Sequence, residues 1–275
     1  MGIGTLHMAR RLGSAGLVLT VLLSAVACRT QTARDQEVQE LRQRVAQLEA
    51  RLASSGSSRG TVDAALAAEP NVRPGINDEW RSDDIGPLIG RLETESREIY
   101  TERFNLAAVV GPPPGAAVAD IGAGSGFMTN IFARQVGPTG RVYAVDINAE
   151  LMRHVAEGAA SAGLGNVQTI VCTDRSVELP EASIDIAFIC DTYHHFEYPR
   201  NSMESIRRAL RPGGQVIIVD FHRIPGVTRE FLLEHVRAGE EIFTREIIQS
   251  GFELMNDHDV PWLTENYVLR FRKSP

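Results

Sequence analysis

From residue 117 onward the chain alternates between short, continuous apolar runs and longer stretches with apolar residues every three or four positions. Runs at 117–120, 141–145, 167–172, 184–190 and 215–220 have the length of strands. A run broken only by Asp185, as at 184–190, is expected of a strand covered on both faces. Between them, 127–136, 149–162 and 199–210 carry helical spacing. Pro199 opens the last of these, and Arg207, Arg208 and Arg211 give it the basic end that the helix dipole favours. A helix over 228–250, interrupted at Gly239, precedes two strands at 252–255 and 267–272 that read as a closing antiparallel pair. The order predicts an α/β domain: a doubly wound, seven-stranded, mostly parallel sheet with an antiparallel C-terminal edge strand. Ahead of it, 84–110 has a helical pattern interrupted at Gly86-Pro87, and Gly111-Pro112-Pro113-Pro114-Gly115 stops it.

The first 77 residues follow other patterns. Arg10 and Arg11 precede an uncharged apolar run at 12–27, which ends at Cys28. A basic start, a short apolar stretch and small residues before the break make a secretory signal over 1–28. Ser24-Ala25-Val26-Ala27-Cys28 resembles a bacterial lipobox, whose cysteine is lipidated, although Ala25 stands where leucine is usual. An uncleaved anchor is the other reading. Val38, Leu41, Val45, Leu48 and Leu52 form a short heptad seam within 29–53, which suits a spacer helix or weak oligomerisation through 36–53. Residues 54–77 turn to Ser, Gly, Ala and Pro and read as a flexible linker, so the folded domain is expected over 78–275.

Composition narrows the function classes. A formal charge of −7 offers no basic face for nucleic acid, so no nucleic-acid partner is expected. Three cysteines without a C-x-x-C make no disulfide framework, and Cys172 and Cys190 end apolar strands as buried thiols do.

The chemistry concentrates at 117–126, AVADIGAGSG: strand, acid, glycine turn, helix. Gly122, Gly124 and Gly126 stand at alternate positions, so the spacing is not the G-x-G-x-x-G of a dinucleotide fingerprint. The next strand ends in Asp146, where a carboxylate can accept both ribose hydroxyls of a nucleoside. The run at 184–190 leads into Asp191-Thr192-Tyr193-His194-His195-Phe196, on the sheet edge where ligands collect. His194 and His195 titrate near neutrality and are candidate bases, with Tyr193 behind them. His222, Glu230 and His235 are weaker candidates. A doubled histidine beside Asp191 raises the question of a metal, but adjacent ligands rarely close a site alone, and none is predicted.

These motifs resemble those of class I S-adenosylmethionine-dependent methyltransferases. VADIGAGSG is similar to their first motif and YAVDIN, with Asp146 and Ile147, to their ribose-binding motif. Cys172-Thr173-Asp174, IDIAFICDTYHHF and LRPGGQVIIVDF follow in the family's order. Among its members the chain most resembles small-molecule enzymes of the ubiquinone/menaquinone-biosynthesis and arsenite-methyltransferase type. The resemblance implies a Rossmann-like methyltransferase fold, S-adenosyl-L-methionine as cofactor and a small-molecule acceptor. It implies that Gly122, Gly124 and Gly126 make room for the methionine end, and that Asp120 supports the loop and the ammonium. Asp146 and Ile147 would then hold the ribose, Asp174 the adenine amino group, and Asp191 would border the methyl. Arg97, Glu98, Tyr100 and Arg103 would fall in a lid over the methionine end.

One conflict keeps a second function in view. A lipobox places the protein in a bacterial cell envelope, whereas S-adenosylmethionine is made in the cytosol; a cytosol-facing domain is the other arrangement. The alternative is therefore an envelope-tethered binding protein with this fold and no turnover.

Overall fold

The computed structural model describes residues 66–275 except Asp259. The signal, Cys28 and the heptad segment lie outside the described residues, as does the linker up to residue 65. No helix among the described residues is long and apolar enough to cross a membrane.

Seven strands among these residues form one sheet in the order β3-β2-β1-β4-β5-β7-β6. They are β1 (Ala117–Ile121), β2 (Arg141–Asp146), β3 (Val167–Val171), β4 (Ile184–Cys190), β5 (Leu210–Phe221), β6 (Phe252–His258) and β7 (Asn266–Lys273). β1 to β5 run parallel; β7 is antiparallel to both β5 and β6. The antiparallel strand thus lies between β5 and β6, and the two C-terminal strands close that end of the sheet together. Arg211-Pro212-Gly213-Gly214, ahead of the apolar run at 215–220, falls inside β5. The register against β4 jumps from Ile184↔Leu210 to Ile186↔Gln215 to absorb it.

Period-two alternation sends each strand's side chains to two cores. Val118, Val142, Ile186, Phe188 and Ile217 pack with Leu106 and Val110 of α3 (Arg103–Val110) and Phe132 of α4 (Phe127–Val136). Ala119, Ala187, Ile189 and Ile218 pack on the other face with Met203 and Ile206 of α6 (Pro199–Ala209) and Phe243 of α8 (Glu240–Gln249). α5 (Ala149–Ser161) seals the β2 end through Leu151, Met152 and Val155 against Ala144. The helix expected over 228–250 is two, α7 (Glu230–His235) and α8, parted around Gly239.

Two expectations need correcting. The helical stretch 84–110 is three pieces: α1 (Gly86–Leu92), α2 (Glu98–Thr101) and α3. Between α1 and α2 the backbone of Arg97 is extended (φ −97°, ψ 115°), which lets its guanidinium reach into the site. The stretch read as linker also ends too late, because residues 66–77 are seated on the domain. Buried Glu69 accepts the Arg200 (2.8 Å) and Asn201 (2.9 Å) N–H groups. These are donors that the first turn of α6 leaves without an intrahelical partner. Val72 N–H donates to the Glu197 carbonyl at 2.9 Å, and Arg73 donates to the carbonyl of Glu234 at 2.8 Å.

Candidate active site

The helix after β1 packs on one face of the sheet and the helix after β4 on the other, so a crevice must open beyond the carboxyl ends of these two strands. A cavity lies there. Its walls are the glycine loop, the ends of β2 and β4, and Asn77, Trp80, Leu92 and Arg97 from ahead of β1.

Gly122 and Gly124 form its floor in left-handed backbone (φ +73° and +55°). A Cβ on Gly122 would stand 2.2 Å from Thr192 Oγ1, and one on Gly124 would stand 2.7 Å from Leu92 Cδ1. The loop is therefore held between the segment after β4 and α1, with no room for a side chain. Gly126 serves differently. It starts α4, does not border the cavity, and has Val155 2.8 Å from where its Cβ would be. It is a packing glycine, and the ligand role expected of it does not fit its place.

Asp146 ends β2 almost fully buried. Its Oδ2 accepts Gly124 N–H at 2.9 Å and its Oδ1 accepts Asn148 N–H at 3.0 Å. One side chain thus fixes the glycine loop while bordering the cavity. Burial raises its carboxyl above the usual range, and backbone hydrogen bonds from Asn148, Gly124 and Ile147 oppose the rise. Ile147 lines the cavity beside it.

Asp120, next to last in β1, borders the cavity and accepts the Thr129 hydroxyl at 2.6 Å. Burial pushes its carboxyl up to about 7, against the Thr129 hydrogen bond and with help from the charge of Asp146. Asp174, also on the wall of the cavity, is paired with Arg81, whose chain neighbour Trp80 lines the wall as well. The Trp80 indole nitrogen is buried without a partner among the described residues.

Asp191 follows β4 with φ +48°, rare for a residue with a side chain. Its Oδ2 meets Arg97 Nη2 at 2.7 Å and its Oδ1 accepts Asn266 Nδ2 at 2.6 Å. Burial raises the Asp191 carboxyl, and the Arg97 charge holds it down.

Of the three candidate bases, the structure brings one to the cavity. His195 lines it. Tyr193 is fully buried, packs on Phe243 and donates to Glu246 at 3.1 Å. His194 is 1% exposed, with Nδ1 2.8 Å from Asp220 Oδ1. Neither Tyr193 nor His194 borders the cavity, because in the 3₁₀ turn Tyr193–His195 successive side chains point apart. Burial, then the His194 and His235 rings, hold His195 well below the ordinary histidine range. It is neutral at pH 7 and able to accept a proton. Cys172 and Cys190 border the cavity, but burial pushes the first to about 12 and the second well above its ordinary value. Both are thiols, as their place at strand ends suggests.

Comparison with known proteins reads the same residues. Residues 119–218 match the family described as "Methyltransferase domain". The matched stretch runs from within β1 to within β5 and takes in Asp120, Asp146 and the glycine loop. Over 111 residues the chain is 31% identical to a ubiquinone/menaquinone biosynthesis C-methyltransferase of Ralstonia pickettii, covering 40% of this chain and 45% of that protein. The chain thus spans less than half the length of this curated relative. A methyltransferase of Aquifex aeolicus described as SAM-dependent superposes with a TM-score of 0.61 at 23% identity, covering 69% of this chain and 98% of that one. The 1,6-didemethyltoxoflavin-N1-methyltransferase of Burkholderia thailandensis, solved with its substrate and S-adenosylhomocysteine, gives 0.52 at 22% identity over 76% and 95%. The fold is that of the S-adenosylmethionine-dependent methyltransferases.

The residues present fit that cofactor. The glycine floor is a cradle that a Cβ would fill, Asp146 borders the cavity with acceptor capacity beyond the Gly124 and Asn148 N–H groups, and the Trp80 N–H lacks an acceptor among the described residues. Asp120, which burial keeps reluctant to ionise, gains from a cation above it. Sequence reasoning passed over Asn77, Trp80 and Thr192 as site residues. Asn77 and Trp80 lie ahead of the first strand in a stretch whose composition carries no signal, and Thr192 stands beside more conspicuous residues in the turn after β4; only the fold brings them to the wall.

Proposed function

We propose that this chain transfers the methyl group of S-adenosylmethionine to a small-molecule acceptor. The observation that carries the reading is the joint placement of the Gly122–Gly124 floor and Asp146 in one cavity, tied by the Gly124–Asp146 hydrogen bond. The cofactor supplies an electrophilic methyl on sulfonium, so the protein has to orient, desolvate and manage one proton. Asp146 is the acceptor for ribose hydroxyls, and the Arg81–Asp174 pair and Trp80 frame the adenine end. Asp120 and the Arg97–Asp191 pair balance the charges of the methionine end. His195, neutral and on the wall, is the group that takes a proton from the acceptor. A formal charge of −7 supports a small acceptor over nucleic acid. The C-methyltransferase relatives support an acceptor whose reacting atom becomes nucleophilic on losing a proton. Calorimetry with S-adenosylmethionine and S-adenosylhomocysteine tests the cofactor, and transfer of labelled methyl across an acceptor panel tests turnover. Absence of binding to both would sink the reading.

We further propose, independently of the cofactor, that Cys28 anchors the chain to a bacterial envelope, with a cytosol-facing domain as the other arrangement; Arg10, Arg11 and the uncharged run that precedes Cys28 support it. Mass spectrometry of the mature N-terminus decides this. An acylated Cys28, lost in Cys28→Ser, supports it, and an intact unacylated N-terminus overturns it.

A further inference from the structure

Three imidazoles meet beside the cavity. His194 and His195 come from the turn after β4, and His235 from the end of α7; one ring nitrogen of each lies within 4.8 Å of the others. His195 Nε2 and His235 Nε2 are 3.3 Å apart. The ring centroids stand 4.4 Å (His194–His195), 5.0 Å (His195–His235) and 5.1 Å (His194–His235) apart.

The surrounding hydrogen bonds decide where the protons sit. Asp220 Oδ2 accepts the His194 backbone N–H at 3.2 Å, and Oδ1 faces His194 Nδ1 at 2.8 Å. A carboxylate only accepts, so Nδ1 carries the proton and Nε2 of His194 is left with its lone pair. Asn77 fixes His195 in the same way. Its Nδ2 donates to the His195 carbonyl and to Glu197 Oε1, both at 3.1 Å, which turns Oδ1 toward His195 Nδ1 at 3.2 Å. His195 Nδ1 is therefore the protonated nitrogen and Nε2 the bare one. That lone pair points at a third imidazole nitrogen at 3.3 Å. Nitrogens bound to one tetrahedral ion at 2.0–2.1 Å lie about 3.3–3.4 Å apart.

We propose that His194, His195 and His235 form a binding site for one divalent transition metal ion, with zinc the reference ion. Imidazole-only donors suit zinc, copper or nickel rather than magnesium or calcium. Asp220 and Asn77 supply the outer hydrogen bonds that such ligands need to hold their tautomer. Three protein ligands leave one position open, as in catalytic rather than structural zinc sites. His195 borders the cavity, and His235 borders a second depression lined by Arg73, Pro74 and Glu79, which provides an entry path. Resting on the methyltransferase reading, the site selects acceptors with an oxygen or sulfur donor. Bound to the metal, such a hydroxyl or thiol loses its proton to water and stays as the anion; His195, its Nε2 then a ligand, is the base only while the metal site is empty.

The test uses the full chain, stripped with a chelator and titrated with Zn2+ against a chromophoric competitor, without cofactor or acceptor. The expected result is one Zn2+ per chain, with Co2+ giving the intense visible absorption of a four-coordinate ion. His235→Ala, on a half-buried helix end, should abolish stoichiometric binding, and Asp220→Asn should weaken it about 10–100-fold. His154→Ala, on α5, should change nothing. No stoichiometric Zn2+ in the wild type, or equal binding in His235→Ala, overturns the site. S-adenosylhomocysteine binding, measured on the same samples, separates failure of the metal from failure of the methyltransferase reading.

Discussion

Arg97 Nη2 lies 2.7 Å from Asp191 Oδ2, joining a residue ahead of the first strand to the end of the fourth. The Asp191 side chain is 5% exposed and that of Arg97 is 20% exposed, so the pair is largely withdrawn from water. Removing one member of a buried pair typically costs about 3–5 kcal/mol. Here the loss is smaller, because Asn266 still donates to Asp191 and the carboxyl, already raised by burial, can protonate. Arg97→Met is expected to lose about 2 kcal/mol and to weaken S-adenosylhomocysteine binding. A raised acid loses stability as pH rises, so the deficit should be larger at pH 8 than at pH 5. Urea unfolding at the two values checks this, and an equal deficit at both would exclude the pairing as its cause.

Asp146→Asn should weaken S-adenosylhomocysteine at least about tenfold, since a hydrogen bond to a charged group contributes about 1.5–3 kcal/mol. The amide retains one acceptor oxygen but cannot also serve both the Gly124 and Asn148 N–H groups. A modest loss of melting temperature therefore accompanies the loss of affinity. Unchanged affinity in the folded variant would remove Asp146 from the ribose position.

Asp120 sets a pH signature. Its folded value of about 7 exceeds the ordinary 3.8, so between these values the folded state holds a proton that the unfolded chain has lost. Stability of the ligand-free protein should fall by a few kcal/mol as pH rises through that window, and level off above it. Asp120→Asn should flatten that segment. Denaturation midpoints taken from pH 4 to 8 decide it, and an identical slope in the variant would dismiss the assignment.

Glu69→Ala leaves the Arg200 and Asn201 N–H groups without their carboxylate. The expected cost is that of a lost helix cap, about 1–2 kcal/mol, seen as a lower urea midpoint at unchanged slope. No change would mean that residues 66–77 add nothing to the domain.

What was legible in the sequence was local. The Gly122–Gly124 turn and Asp146 are marked by spacing along one stretch, because a strand, a tight turn and a helix leave a fixed periodic trace. Gly126 shared that spacing, yet a glycine needed for Val155 looks the same in sequence as one needed for a ligand. The break before α2 carries no proline or glycine; Arg97 is drawn into extended backbone by a partner 94 residues away. Asn77 and His195 are separated by 118 residues, and His195 and His235 by 40. Such pairings depend on how the sheet folds back, and neither periodicity nor charge pattern encodes them. Hence the doubled histidine could be read, but its third neighbour could not.

The seating of residues 66–80 against the turn after β4 has a consequence for exchange between relatives. Asn77 holds the His195 carbonyl and Glu197, while Glu69 holds the start of α6. The wall that faces an acceptor is thus made of two strips of chain far apart in sequence but fastened to each other. The cofactor floor, from Asp120 to Asp146, meets these strips through Thr192 packed on Gly122 and through Asn148, which donates to the Trp80 carbonyl, but supplies none of the bonds that fasten them to each other. A graft of both strips together moves as a cassette onto a foreign floor. A graft of either alone arrives with its fasteners cut, so recombination that keeps sequence neighbours together would separate the two parts that must travel as one.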